Sequence, residues 1–228
     1  MNSVSIIVII TVCVIVFIVL LTFLLSYLSI KKTQKYDSKF DSISDEEIAG
    51  INGERKVNFI LNRLIEDDEY LLSGLLIPRN IDGAEIDSVL ITRKGIFCIE
   101  TKNWSGSIFG GDEDKNWEQI KPNYATATYH NPVEQNNIHR DKLKNLFKNK
   151  YNVYNIVIFS NDNCILKFKS NCALKLNGFV TYYKSFEDSD NELSINDINY
   201  IHNKLQNYVA TKDELRRHKE YLKRKHNH

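Results

Sequence analysis

The chain predicts an α/β fold, and two observations carry that expectation. Apolar residues recur at helical spacing in three segments: Val57, Ile60, Leu61 and Leu64; the run that follows Pro132; and SINDINYIHNKLQNYV at 194–209. Between these segments lie short runs rich in Ile, Val, Leu and Phe, at 85–91, 96–102 and 151–160, bounded by turn residues. No internal repeat interrupts the alternation.

Taken in order, residues 4–30, VSIIVIITVCVIVFIVLLTFLLSYLSI, carry no charge. At about 1.5 Å of rise per residue such a helix is roughly 40 Å long, against a hydrocarbon core of about 30 Å, so it can span a bilayer with some tilt. A secretory signal fits less well, because the apolar region is too long and neither a basic stretch nor a small-residue cleavage site flanks it. Met1, Asn2 and Ser3 carry no side-chain charge, whereas Lys31, Lys32 and Lys35 follow the span at once. The positive-inside rule then expects a single-pass cell-membrane protein with its C-terminal part in the cytoplasm. Residues 31–50 are polar and read as a linker.

The helix over 52–68 carries Glu54 in its first turn. A hairpin follows, with strands near 85–91 and 96–102 joined by TRKG, where Gly95 supplies the backbone freedom of a tight turn. A second pair is expected near 105–110 and 116–120, joined by the acidic GDEDKN, with Gly106, Gly110 and Gly111 as strand-end and turn glycines. The helix from Pro132 to about Lys150 should turn Val133, Ile138, Leu143, Leu146 and Phe147 inward. The run 151–160 is the clearest buried strand. Short strands near 163–168 and 178–183 precede the last amphipathic helix, which Ser194 caps. Residues beyond 211 are charged, helix-prone and expected to be loosely held.

Cys13 falls in the apolar span, and Cys98, Cys164 and Cys172 show no CxxC or zinc spacing, so reduced, mostly buried thiols are expected. The net charge of +1 hides an asymmetry: residues 37–118 hold 9 basic and 18 acidic side chains, residues 139–184 hold 9 and 2, and residues 211–228 hold 7 and 3. An acidic half suits a cation site, and a basic half suits a surface facing a polyanion; solvated helix faces are the plainer explanation of such runs. His130, His139, His202 and the tail histidines show no metal-ligand spacing and are expected at the surface or at caps. Trp104 and Trp117 are expected to pack the sheet against a helix, base stacking being the other use of an exposed ring.

Glu85, Asp87, Glu100 and Lys102 stand out because a β-rich run seldom carries ionisable groups unless they are paired or bind a metal. Glu100 and Lys102, two residues apart, project to one face of their strand, while Thr101 points away. Asp87, on the preceding hairpin strand, can lie opposite or diagonal to them. Two converging carboxylates raise one another's pKa, a conflict that Mg2+ or Mn2+ removes. Lys102 beside such a cation could stabilise charge on a phosphoryl transition state. An Asp87–Lys102 or Glu100–Lys102 ion pair at a sheet edge is the alternative, slightly favoured by strand geometry alone.

GERKV at 53–57, EID at 85–87, GIFCIETKNWSGSI at 95–108, Trp117 and NPVEQ at 131–135 together resemble, in order, the nuclease-related domain (NERD) family, over about residues 50–160. The resemblance implies a restriction-endonuclease-like PD-(D/E)xK fold, a mixed sheet flanked by helices and here preceded by a transmembrane helix. It implies Asp87, Glu100 and Lys102 as the catalytic set, with Glu54, Asp87, Glu100 and the Thr101 carbonyl as metal ligands and Gln135 in support. Asn131 and Pro132 start the helix. The motif's leading proline is absent, Ile86 standing there, which removes no ligand. The resulting organisation is an anchor at 1–30, a linker at 31–50, a NERD domain at 51–210 and a basic helical tail at 211–228. The implied activity is Mg2+- or Mn2+-dependent hydrolysis of nucleic acid, DNA ahead of RNA, at the membrane reached through residues 4–30. A non-catalytic module that binds nucleic acid or a protein partner, and a membrane scaffold, are the competing readings.

Overall fold

The computed structural model describes residues 17–28, 44–186 and 192–226. The chain divides into two units, Met1–Ile48 and Ala49–His228. In the first, residues 17–28 form helix α1, whose large apolar side chains, Phe23 and Leu25 among them, are exposed. Most of the expected membrane span and of the linker lies outside the described residues. Among the described residues, no helix is long and apolar enough to cross a membrane. The linker's last residues are helical, since α2 (Asp45–Leu61) begins just after Ser44, whose hydroxyl accepts the Glu47 amide at 3.2 Å.

The second unit is built on a five-stranded sheet in the order β1-β2-β3-β7-β9. Its strands are β1 (Tyr70–Ile77), β2 (Ala84–Thr92), β3 (Gly95–Lys102), β7 (Val153–Phe159) and β9 (Ala173–Lys175). The first three run antiparallel as hairpins, whereas β3–β7 and β7–β9 pair in parallel, so the sheet is mixed. Gly95, at φ +132°, closes the turn between β2 and β3 as expected. A second sheet, in the order β6-β5-β4-β8, comprises β4 (Gly106–Phe109), β5 (Asn116–Ile120), β6 (Thr126–His130) and β8 (Cys164–Leu166).

Helices cover both faces of the central sheet. On one face, Val57 and Leu61 of α2 and Phe179 and Tyr183 of α4 (Leu176–Ser185) pack on Leu90, Phe97, Ile99, Ile156 and Ile158. On the other, Leu143 of α3 (Pro132–Leu146) and Ile198, Ile201 and Leu205 of α5 (Ile195–Gln206) cover Val89, Ile91, Ile96 and Cys98. The second sheet closes over Val157 and Phe159 through Ile108 and a fully buried Trp117, whose indole N–H donates to the Gly111 carbonyl at 2.9 Å. Packing is therefore the role of Trp117. Cys98 and Cys164 are buried free thiols and Cys172 is a partly buried one; Cys13 lies outside the described residues.

Several expectations need correction. Residues 176–185 are helical where a strand was predicted at 178–183, because Leu176, Phe179 and Tyr183 bury one helical stripe despite their β-prone neighbours. Ile138 is 54% exposed instead of inward, because the buried stripe of α3 runs through Asn136 and His139. Helix α3 ends at Leu146, and Lys148 and Asn149 then take positive φ. The charged tail is not loose: α6 (Lys212–His226) is held through Arg79–Glu214 at 3.0 Å and through a buried His218.

Candidate active site

The β2–β3 ladder pairs Ile91 with Ile96 and Val89 with Cys98, all turned toward the α3 side of the sheet. Two residues nearer the open end of each strand stand Asp87 and Glu100. The last pair of the ladder is Ser88 with Ile99. There the Asp87 Oδ2 accepts the Thr101 amide at 2.8 Å, so the carboxylate takes the place of a ladder carbonyl. The two acidic side chains are thus drawn to one end of the hairpin, where the charge of Glu100 acts on Asp87.

Glu100 is 4% exposed and is gripped on its Oε1 by two donors: Lys102 Nζ at 2.6 Å and Gln135 Nε2 at 3.0 Å. Lys102 also donates to Gln135 Oε1 at 3.2 Å, which closes a three-residue ring of hydrogen bonds. The ion pair that strand geometry favours is therefore present between Glu100 and Lys102. Gln135 reaches the ring because Pro132 starts α3 and the Asn131 side chain caps it, accepting the Val133 amide at 2.8 Å. The Lys102 ammonium also lies 5.9 Å from the centroid of Trp104, whose ring stacks on Tyr129 at 4.4 Å.

Glu54 reaches this end of the sheet because α2 approaches it through Gly53. A Cβ on Gly53 would lie 2.6 Å from Ser160 Oγ and 2.8 Å from Asn103 Cβ, so only glycine permits the contact. Asn103 then clamps the helix, donating to the Ala49 carbonyl at 2.7 Å. Glu54 makes no direct bond to the ring, but it shares its electrostatic field. Burial pushes its carboxyl up, Lys219 pulls it down, and Glu85 and Glu100 push it up again.

The same forces act on the other members. Burial, then the charges of Glu100 and Glu54, hold the Asp87 carboxyl well above the ordinary range, against the Thr101 amide and Lys102. Burial would lower Lys102, but Glu100, through charge and hydrogen bond, and the other two carboxylates raise it, so it stays an ammonium and not a base. Burial lowers His139, which lies 8% exposed with its Nδ1 3.6 Å from Glu100 Oε2, beyond hydrogen-bond reach.

Chemically, the cluster offers hard oxygen donors and one fixed ammonium. Burial is the first cause of the raised Asp87 carboxyl; the repulsion from Glu100 and Glu54 is the part that a divalent cation would relieve, and in that respect Asp87 and Glu100 fit one. Among the described residues, no three His, Cys, Asp or Glu side chains are grouped so as to hold a metal ion. The protein donors on offer are thus the two carboxylates at this end of the hairpin and the backbone between them. The Thr101 side chain points away, and its hydroxyl is buried with no partner.

Three residues escaped the sequence reading. His139 was expected at the surface, yet it is one helical turn from Gln135 on the buried face of α3; that i, i+4 relation to the NPVEQ block was the available signal. Asn136 is fully buried and bonds to the Cys98 and Ile156 carbonyls and to Asn155. Lys219 comes from the tail, and no spacing in the chain links it to the hairpin.

Residues 49–160 match the family model of the nuclease-related domain (NERD). Among curated proteins, an uncharacterized protein of Bacillus anthracis is 27% identical over 183 residues, covering 77% of this chain and 84% of that protein. No solved structure matches the chain.

Proposed function

From the nuclease-related domain at residues 49–160, we propose that this protein is a metal-dependent nuclease that hydrolyses nucleic-acid phosphodiester bonds, DNA ahead of RNA. The observation that carries this reading is the convergence of Asp87, Glu100 and Lys102 at one end of the β2–β3 hairpin, with Lys102 held as a cation. Asp87, Glu100 and the Thr101 carbonyl would hold Mg2+ or Mn2+, with Glu54 adding negative charge nearby. When bound, the cation supplies a Lewis acid and a water acidified enough to be a nucleophile near neutral pH.

The rest falls to the chain's own groups. Lys102 places a fixed positive charge where negative charge grows on the phosphoryl oxygens, and such a preset charge in a sheltered site lowers the barrier by several kcal/mol. Gln135 bridges Lys102 and Glu100 and keeps both from swinging away. The Thr101 amide fixes Asp87. Basic residues of 139–184 are the candidates for holding flanking phosphates.

The purified full-length protein should cleave DNA with Mg2+ or Mn2+ and not with EDTA. Glu100→Gln and Lys102→Met should each lose about a hundredfold or more in rate. The non-catalytic reading draws on one observation, that Lys102 already neutralises Glu100 without a metal. No cleavage with either metal, together with nucleic-acid binding equal in wild type and both variants, would favour that binding module and sink the nuclease.

We also propose that residues 4–30 anchor the protein in the cell membrane, with the nuclease-related domain in the cytoplasm. This rests on the uncharged run, on Lys31, Lys32 and Lys35 behind it, and on the exposed apolar side chains of α1. Alkaline carbonate washing of membranes should leave the protein in the pellet, with the domain open to protease only from the cytoplasmic side. Release into the wash would refute the anchor.

A further inference from the structure

Lys102 answers only part of the acidic cluster. Glu85 stands two residues before Asp87 on β2, and Glu54, on which Glu85 and Glu100 both act, adds a third carboxylate beyond Glu100. The charge that meets them comes from the far end of the chain. Lys219 Nζ on α6 lies 3.1 Å from Glu85 Oε1, and of the charges around Glu54 it acts most strongly. Burial would lower Lys219, but Glu85, through charge and hydrogen bond, raises it, and Glu54 and Asp87 add to that.

Helix α6 is fixed so as to deliver this side chain. Thr211 and Glu214 form a reciprocal capping box: Thr211 Oγ1 accepts the Glu214 amide at 3.2 Å, and Glu214 Oε2 accepts the Thr211 amide at 2.7 Å. Arg79 donates two N–H groups to Glu214, at 3.2 and 3.0 Å. His218, next to Lys219, is 2% exposed and sits with Nδ1 2.8 Å from the Ile81 carbonyl oxygen. Leu215 comes so close to Gly74 that a Cβ there would meet its Cδ1 at 3.0 Å. A surface lysine on a solvated helix needs no such anchorage.

We propose that Lys219 is the second resident counter-charge of the site, a positioning residue that holds Glu54, Glu85 and Asp87 together until a divalent cation takes over their neutralisation. This extends the site beyond residues 49–160 to the C-terminal helix, and it rests on the metal-dependent reading above. Its consequence has an unusual sign. A positive charge close to a cation site opposes the incoming ion, so its removal strengthens cation binding while it weakens the cation-free fold.

The test uses full-length protein and two readouts: Mn2+ affinity, from the free-ion electron paramagnetic resonance signal, and melting temperature in EDTA. Lys219→Met should bind Mn2+ about five- to tenfold more tightly. In EDTA it should melt about 2–4 °C lower than wild type, and that loss should be smaller when Glu85→Gln is already present. Lys219→Arg should behave as wild type, and Lys212→Met, a charge removed from the start of the same helix, should change neither readout. Unchanged or weaker Mn2+ binding in Lys219→Met would overturn the proposal, reducing Lys219 to a packing role. So would additive melting shifts for Lys219→Met and Glu85→Gln. Were wild type to bind no Mn2+ while the melting shifts still coupled, the counter-charge would stand and the metal-dependent reading would fall.

Discussion

Asn136→Ala is expected to cost about 3–4 kcal/mol of folding stability, read as a fall in urea midpoint at constant m-value. Asn136 is fully buried between α3 and the sheet. Its amide nitrogen serves the Cys98 carbonyl at 2.9 Å, Asn155 Oδ1 at 2.6 Å and the Ile156 carbonyl at 3.1 Å, while its Oδ1 accepts the Cys98 thiol at 3.3 Å. Cys98 and Asn155 are register partners across the parallel β3–β7 pair, so one side chain ties the helix to both strands. Alanine would leave Asn155 Oδ1 buried without this donor and strip the two strand carbonyls of a side-chain bond, and a buried polar group left unpaired costs about 1–3 kcal/mol. Asn155 would lose an anchor as well, and Asn155 holds α3 by donating to the Val133 carbonyl at 2.9 Å and to Asn137 Oδ1 at 2.8 Å. Gln135 neighbours Asn136, so cleavage should fall with stability. A loss below about 1 kcal/mol would show that water replaces the amide at little cost.

That network also explains why the buried face of α3 differs from the one its apolar spacing predicts. A helix on a sheet is expected to turn an apolar stripe inward, and by that rule Ile138 belongs to it. The stripe that is buried instead carries Gln135, Asn136 and His139, because this helix both covers the sheet and furnishes polar groups to its end. Hydrophobic periodicity records burial only where burial is apolar. The hairpin of β2 and β3, the start of α3 at Pro132 and the Ser194 cap of α5 were legible because each follows from local rules of turn, proline and cap. Strand β1, YLLSGLLI, is not legible in this way, because a glycine and a leucine run hide its alternation, although it pairs with β2 over nearly its whole length.

The candidate site divides in the same way. Glu100 and Lys102 were legible because they stand two apart on one strand, and Asp87 because the pairing of a single hairpin brings it to the same end. Lys219 was not, because the contact spans 134 positions of chain between Glu85 and Lys219 and depends on where α6 docks. The acidic half of the chain and the basic tail looked like separate properties. At Glu85 and Lys219 they meet as one charge balance.

Asp87→Asn should abolish cleavage, by at least about a hundredfold on the proposed reading, and yet make the protein more stable at neutral pH. Asparagine keeps an oxygen for the Thr101 amide, so the local bond survives. What it removes is a carboxylate held under protest: burial and the charges of Glu100 and Glu54 raise its folded pKa above the ordinary value of 3.8. The folded protein therefore binds the Asp87 proton more tightly than the unfolded chain does, and stability falls as pH rises between the two values. Below about pH 4 the carboxyl is neutral in both states and contributes no penalty. Above the raised folded value the penalty is complete, and there the variant should melt a few degrees higher than wild type. Melting temperatures of the two proteins, measured from pH 4 to 8 in EDTA, should start together and diverge as pH increases. Parallel curves would mean that Asp87 carries no such burden, and a variant that melts lower at every pH would mean that its charge supports the fold. Loss of cleavage together with a gain in stability would be the signature of a carboxylate retained for its chemistry against the preference of the sheet around it.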